Sequence, residues 1–181
     1  MRIISGRHKG RRLNAPKNLP VRPTTDMAKE GLFNILNNNY YFADLKILDL
    51  FAGTGNISYE FGSRGTQHIT AVDSHKGCIQ FISQTTELLE LVIEPIKADI
   101  FSFLDRTTEK FDIIFADPPY AMDQIDFEKI AQSVFTKDLL LEDGLLIIEH
   151  AKQTDLSYLP HFKNSRKYGG SVFSFFGNIE T

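Results

Sequence analysis

Only one cysteine, Cys78, occurs in the 181 residues, so the chain can build neither an internal disulfide framework nor a cysteine-based zinc cluster. A reducing compartment suits such a sequence, and a cytoplasmic protein is expected. Long apolar runs are missing too, since none approaches the roughly 18 residues of a membrane-spanning helix. His68, His75, His150 and His161 are scattered without metal-ligand spacing, so no metal and no membrane partner are expected. Acids are absent from the start: the first carboxylate is Asp26, whereas residues 1–22 hold seven of the 20 Lys and Arg. The remainder is correspondingly acidic, a formal −10 within a net charge of −3. An acid-free basic beginning resembles a transit peptide in charge, but Gly6, Gly10, Pro16 and Pro20 break any amphipathic helix there.

What is present is ordinary globular material, 42% hydrophobic and 24% charged, of a length for one domain with a small appendage. The first segment, MRIISGRHKGRRLNAP, places Ile3, Ile4 and Leu13 between glycines. It reads either as a solvated tail or as a short hairpin displaying arginines, a surface suited to phosphates. In VRPTTDMAKEGLFNIL, Thr24, Thr25 or Asp26 can cap a helix of about ten residues whose apolar face holds Met27, Leu32, Phe33, Ile35 and Leu36. From Lys46 the chain alternates apolar runs with helical segments around 76–91 and 126–136, which predicts a parallel sheet with helices on both faces. Two runs about Lys167-Tyr168-Gly169-Gly170 predict a terminal antiparallel hairpin.

The chemistry gathers at the predicted strand ends. LDLFAGTG puts Gly53 and Gly55 in the turn after the first strand, where backbone can approach a ligand and a helix begins. A dinucleotide fingerprint requires glycine or alanine three residues after Gly55, and Ser58 stands there instead. Asp73 ends the second strand, where a carboxylate can take both ribose hydroxyls, and Asp99 ends the third, within reach of an adenine amine. Asp49 precedes the turn. Three carboxylates repel a nucleotide phosphate but not a phosphate-free cation such as S-adenosylmethionine. The fourth strand ends in FDIIFADPPY, residues 111–120. Pro118 and Pro119 stiffen the chain and leave carbonyls without ladder duties beside Tyr120.

These residues resemble the class I methyltransferases that act on exocyclic amines. The flanks GRHKGRRLNAP, VRPTTDMAKEGLFNIL, ILDLFAGTGNISYEFGSRG, FDIIFADPPY and the closing KYG narrow the resemblance to the bacterial 16S ribosomal RNA guanine-N2 methyltransferases named for guanine 966. Met27, where that family often has a basic residue, and Asn56-Ile57-Ser58 depart from its pattern. The resemblance implies a Rossmann-like fold with a mostly parallel seven-stranded sheet, S-adenosylmethionine as cofactor, and 16S rRNA or the small-subunit particle as partner of a monomeric enzyme. It implies cofactor contacts from Asp49, Phe51, Gly53, Gly55, Asp73, Asp99 and Asp117, and catalysis by Asp117, Pro118, Pro119 and Tyr120. Residues 1–22 are expected to form an RNA-binding extension of a methyltransferase domain at 23–181, with Arg2, Arg7, Lys9, Arg11, Arg12 and Arg22 on phosphates. Three other readings remain at this stage: an amine methyltransferase for another nucleic acid, a non-catalytic RNA-binding or ribosome-assembly protein on the same fold, and an NAD-dependent oxidoreductase. Glu149-His150 reads as a polar pair at the end of the fifth strand.

Overall fold

In the computed structural model, which describes residues 1–178, seven strands form one sheet in the order β3-β2-β1-β4-β5-β7-β6. The strands are β1 (Lys46–Leu50), β2 (His68–Asp73), β3 (Ile93–Lys97), β4 (Phe111–Ala116), β5 (Leu140–Ala151), β6 (Phe162–Tyr168) and β7 (Ser171–Gly177). The first five are parallel, and β7 inserts antiparallel between β5 and β6. The helices are α1 (Asp26–Asn37), α2 (Asn56–Ser63), α3 (Lys76–Leu89), α4 (Ile100–Arg106) and α5 (Gln124–Thr136). This is the expected Rossmann-like α/β class, terminal hairpin included. The helix α4 is an addition to the sequence reading. Its seven residues are too few to display a period, and its start is fixed by Asp99, whose carboxylate accepts from the Ser102 N–H.

Alternation along the central strands sends side chains into two cores. Ile47, Ile69, Ile113, Phe115, Ile147 and Phe173 meet α1 and α2 on one face, while Leu48, Leu50, Ile114, Ala116 and Ile148 meet α4 and α5 on the other. Helix α1 is capped by the Thr25 hydroxyl, which accepts from the Ala28 N–H, and buries Ala28, Lys29, Leu32, Phe33 and Leu36. Phe33 packs edge-on against Phe61 of α2, 4.7 Å between ring centres, a geometry that aromatic quadrupoles favour.

Every residue of α2 is buried, because the N-terminal segment covers its outer side. Residues 1–13 form a hairpin closed by the Arg2–Arg12 bridge and by Ile3 N–H to Arg11 C=O (3.0 Å) and Leu13 N–H to Met1 C=O (3.0 Å). Ile3 and Leu13 enter the α1/α2 core, each burial contributing about 1.5–3 kcal/mol. The Ile4 and Ser5 N–H groups donate to the Glu60 carboxylate, and Arg7 N–H donates to Ser63 C=O. Of the two sequence readings, the short hairpin is the one adopted, and its docking on α2 is an addition to that reading. Among the described residues no helix is long and apolar enough to cross a membrane, and no group of three or more His, Cys, Asp or Glu could hold a metal.

Candidate active site

The order in which successive strands are added reverses between the parallel neighbours β1 and β4, the place where open α/β sheets leave a crevice at their C-terminal ends. The two strands stop together there, with Asp117 N–H donating to Leu50 C=O across 3.3 Å. A cavity of about 560 Å³ opens at this point, walled by residues 20–25, the turn after β1, the end of β2, Asp117–Tyr120, Glu149 and Gly170-Ser171.

The turn is tight. Phe51 adopts φ +59°, a left-handed conformation unusual for a non-glycine residue, and Gly53 follows at φ +56°. A Cβ on Gly53 would sit 3.3 Å from Val21, so its absence leaves room between the turn and the 20–25 segment. Asp73 fastens this geometry: one carboxylate oxygen accepts from Gly53 N–H at 2.9 Å and the other from His75 N–H at 2.8 Å. Each oxygen keeps a second lone pair for a ligand. Asp49 is buried, and burial raises its carboxyl to about pH 7 against the opposing effect of the Ser58 hydroxyl, which donates to it at 2.6 Å. Ser58, the residue that spoiled the dinucleotide fingerprint, is therefore the hydrogen-bond partner of Asp49.

Asp49, Phe51, Gly53, Asp73 and Asp117 thus converge on one cavity, as do Pro118, Pro119 and Tyr120. Gly55 and Asp99 are not among its walls. Gly55 is the left-handed N-cap of α2, φ +84°, where a Cβ would strike the Tyr59 ring. Asp99 caps α4 through Oδ1, which accepts from the Ser102 N–H at 2.9 Å.

The β4 end is rigid, with Pro118 buried and Tyr120 half exposed at the mouth. Pro119 C=O accepts from Met122 N–H at 2.9 Å, which closes the turn and commits one lone pair of that carbonyl. Pro118 C=O accepts no hydrogen bond among the described residues and remains available with the Asp117 carboxylate. The Asp117 carboxyl lies well above its ordinary range because it is desolvated, with Glu149 and then Asp49 adding like charge. Arg22 brings its guanidinium 6.0 Å from the centre of the Tyr120 ring.

Glu149 and Thr24 are the residues that sequence reasoning missed. Strand alternation sends Glu149 and His150 to opposite faces, so they are not a pair. His150 Nε2 bonds the Ser174 hydroxyl at 2.8 Å in the α5-side core. Glu149 lines the cavity and accepts from the Thr24 hydroxyl at 2.6 Å. Burial raises its carboxyl as well, opposed by the hydroxyls of Thr24 and Ser171. The available signal was a charged residue closing the buried run GLLIIEH.

The basic residues divide. Arg2 pairs with Asp26 at 3.1 Å, and Arg7 donates to the Leu89 and Glu90 carbonyls at the end of α3. Lys9, Arg11, Arg12 and Arg22 are exposed and make no ion pair among the described residues.

Comparison with known proteins agrees with this geometry. Residues 1–177 match the family model described as conserved hypothetical protein 95. Relatives include YlbH of Bacillus subtilis, a candidate rRNA methyltransferase by name, 35% identical over 86% of this chain and 85% of that protein. Ribosomal RNA small subunit methyltransferase D of Buchnera aphidicola is 31% identical over 85% of this chain and 80% of its own. Among solved structures, the Escherichia coli protein yhhF, described as a candidate methyltransferase, superimposes with a TM-score of 0.83 at 26% identity, covering 97% of this chain and 96% of its own. Sequence, fold and cavity agree: the chain belongs to the conserved hypothetical protein 95 family and is a methyltransferase of the class I fold.

Proposed function

We propose that this methyltransferase uses S-adenosylmethionine to methylate the exocyclic N2 amine of a guanine in 16S ribosomal RNA, acting as a cytoplasmic monomer. The observation that carries the reading is the single cavity joining the Asp73-braced turn to Asp117–Tyr120. The walls fit the cofactor: Asp73 keeps free lone pairs beside the turn for ribose hydroxyls, and the buried carboxyls of Asp49, Asp117 and Glu149 favour a cation over a phosphate. When bound, S-adenosylmethionine supplies an electrophilic methyl group on a positively charged sulfur.

An exocyclic guanine amine is a weak nucleophile, because its lone pair is delocalised into the ring. The Asp117 carboxylate and Pro118 carbonyl hold its two hydrogens and turn the lone pair out of conjugation toward the methyl. The rigid double proline fixes these acceptors before the amine arrives, so no reorganisation is needed at the reaction. Positive charge in the cofactor pocket lowers the Asp117 pKa toward the ionised form that this role requires. After transfer, the positively charged amine is acidic, and Asp117 passes its proton to water. Tyr120 stacks on the base once it has left its own stack, a contact worth about 1–3 kcal/mol. Residues 1–22 serve the 23–181 domain as an RNA-binding extension, with Lys9, Arg11, Arg12 and Arg22 meeting phosphates while Arg2 and Arg7 hold the extension in place.

The test is transfer of labelled methyl to small-subunit rRNA and particles that lack the modification, followed by nucleoside analysis. The expected product is N2-methylguanosine; label in adenosine, in cytidine or in no nucleoside overturns the reading.

A further inference from the structure

We propose that Glu149 selects the target base, its carboxylate accepting the N1–H of guanine while the adjacent N2 amine lies against Asp117 and Pro118. This rests on the guanine-amine reading above and adds a specificity-determining residue to it. The β4–β5 register aligns Phe115 with Ile147 and Ala116 with Ile148, and its continuation sets Asp117 beside Glu149 at the neighbouring-strand spacing of about 4.8 Å. Both side chains face the same cavity.

Glu149 is 3% exposed, and a carboxylate is costly to desolvate without partners. It is held rather than free. Thr24 donates to Oε2, the Thr24 carbonyl accepts from Asn56 Nδ2 at 3.0 Å, and Asn56 Oδ1 accepts from the buried Lys29 ammonium at 2.8 Å. A carboxylate offers about four acceptor positions, so this anchoring leaves capacity directed at the cavity.

The base chemistry matches that capacity. Beside its exocyclic N2 amine, guanine carries N1–H, a donor. Beside their exocyclic amines, adenine and cytosine carry ring nitrogens that are acceptors. With the amine fixed at Asp117, Glu149 in its ionised form, which a cation bound in the pocket favours against the effect of burial, meets a proton in guanine and a lone pair in the other two bases. Leaving two buried acceptors face to face is the kind of mismatch that polar recognition sites reject strongly.

The experiment measures kcat/KM on a small-subunit rRNA fragment carrying either the target guanine or 2-aminopurine in its place. The analogue keeps the 2-amine but makes N1 an acceptor. Wild type is expected to prefer guanine by about tenfold or more. Glu149→Gln keeps an acceptor for Thr24 and offers an N–H to the analogue, so it should narrow or reverse the guanine-to-analogue ratio, from which any change in cofactor affinity cancels because both substrates are measured with the same enzyme. The loss of O6 in the analogue cancels when the two enzymes' ratios are compared. Equal ratios for wild type and variant overturn the assignment and leave Glu149 as a fastening for Thr24, a role that slows both substrates alike. Equal use of the two bases by wild type overturns it without any variant. Failure of wild type to methylate guanine in rRNA defeats the underlying functional reading instead.

Discussion

The basic hairpin and the acidic cavity carry charge of opposite sign in opposite ways. In the hairpin, Lys9, Arg11 and Arg12 stand in water, where their influence is long-ranged, screened by salt and nearly without effect on folding. In the cavity, Asp49 and Glu149 are buried and Asp117 is largely desolvated beside them, and all three titrate above their ordinary range. Charge of the first kind attracts a polyanion. Charge of the second kind is held at a cost to the free protein that a cationic ligand can offset. The hairpin also shows that exposure of a charged tip is compatible with a buried base, since Ile3 and Leu13 sit in the core.

The comparison breaks most visibly at Asp117. Asp117→Ala should lower kcat at saturating S-adenosylmethionine by about 100- to 1000-fold, a loss larger than any change in cofactor affinity measured by calorimetry. Turnover at the wild-type rate would remove Asp117 from the chemistry.

Asp49 tests the claim that buried charge is costly. Its folded pKa of about 7 lies above the ordinary value of 3.8, so the protonated carboxyl favours the fold. That contribution is fully present below about pH 4 and is lost as pH rises toward 7. Asp49→Asn should remove this loss, on the order of 4 kcal/mol across the window, which thermal unfolding of the ligand-free protein at pH 4 to 8 would read out. A variant with the wild-type pH profile would show that Asp49 is not the group responsible.

Asp73 sharpens the cavity side, since its oxygens brace Gly53 and His75 and it lines the cavity. Asp73→Ala should weaken S-adenosylmethionine and its demethylated product alike, by about 1.5–3 kcal/mol. Calorimetry with both ligands checks this, and unchanged affinity excludes the ribose role.

The smallest effect per residue is expected at the hairpin. Changing Lys9, Arg11 and Arg12 together to Ala should flatten the salt dependence of RNA binding by about 0.7 in log–log slope per lost phosphate contact. Cofactor affinity should not change. Arg7→Ala should instead lower thermal stability, because Arg7 holds the end of α3 through two carbonyls. Parallel slopes for wild type and triple variant would place the RNA elsewhere.

Much of this molecule was readable in one dimension because its signals are local. Apolar runs separated by helical segments specify a parallel sheet, FAGTG specifies a glycine turn, and DPPY specifies a rigid strand end, each within a window of a few residues. Residue type and spacing also separated the basic beginning from the acidic body. What needed the folded chain were the relations between distant segments. Asp99 and Gly55 stand in the right neighbourhood of the sequence, yet the fold sets them outside the cavity wall, as the caps of α4 and α2. Glu149 looked like an ordinary strand-end residue until the β4–β5 register set it beside Asp117, and Thr24 reached it across 125 positions of sequence. Sequence determines which side chains each strand end carries, because alternation and turn chemistry act between near neighbours. Only tertiary structure decides which strand ends share a cavity, and it is burial there that brings separate carboxylates together as one site.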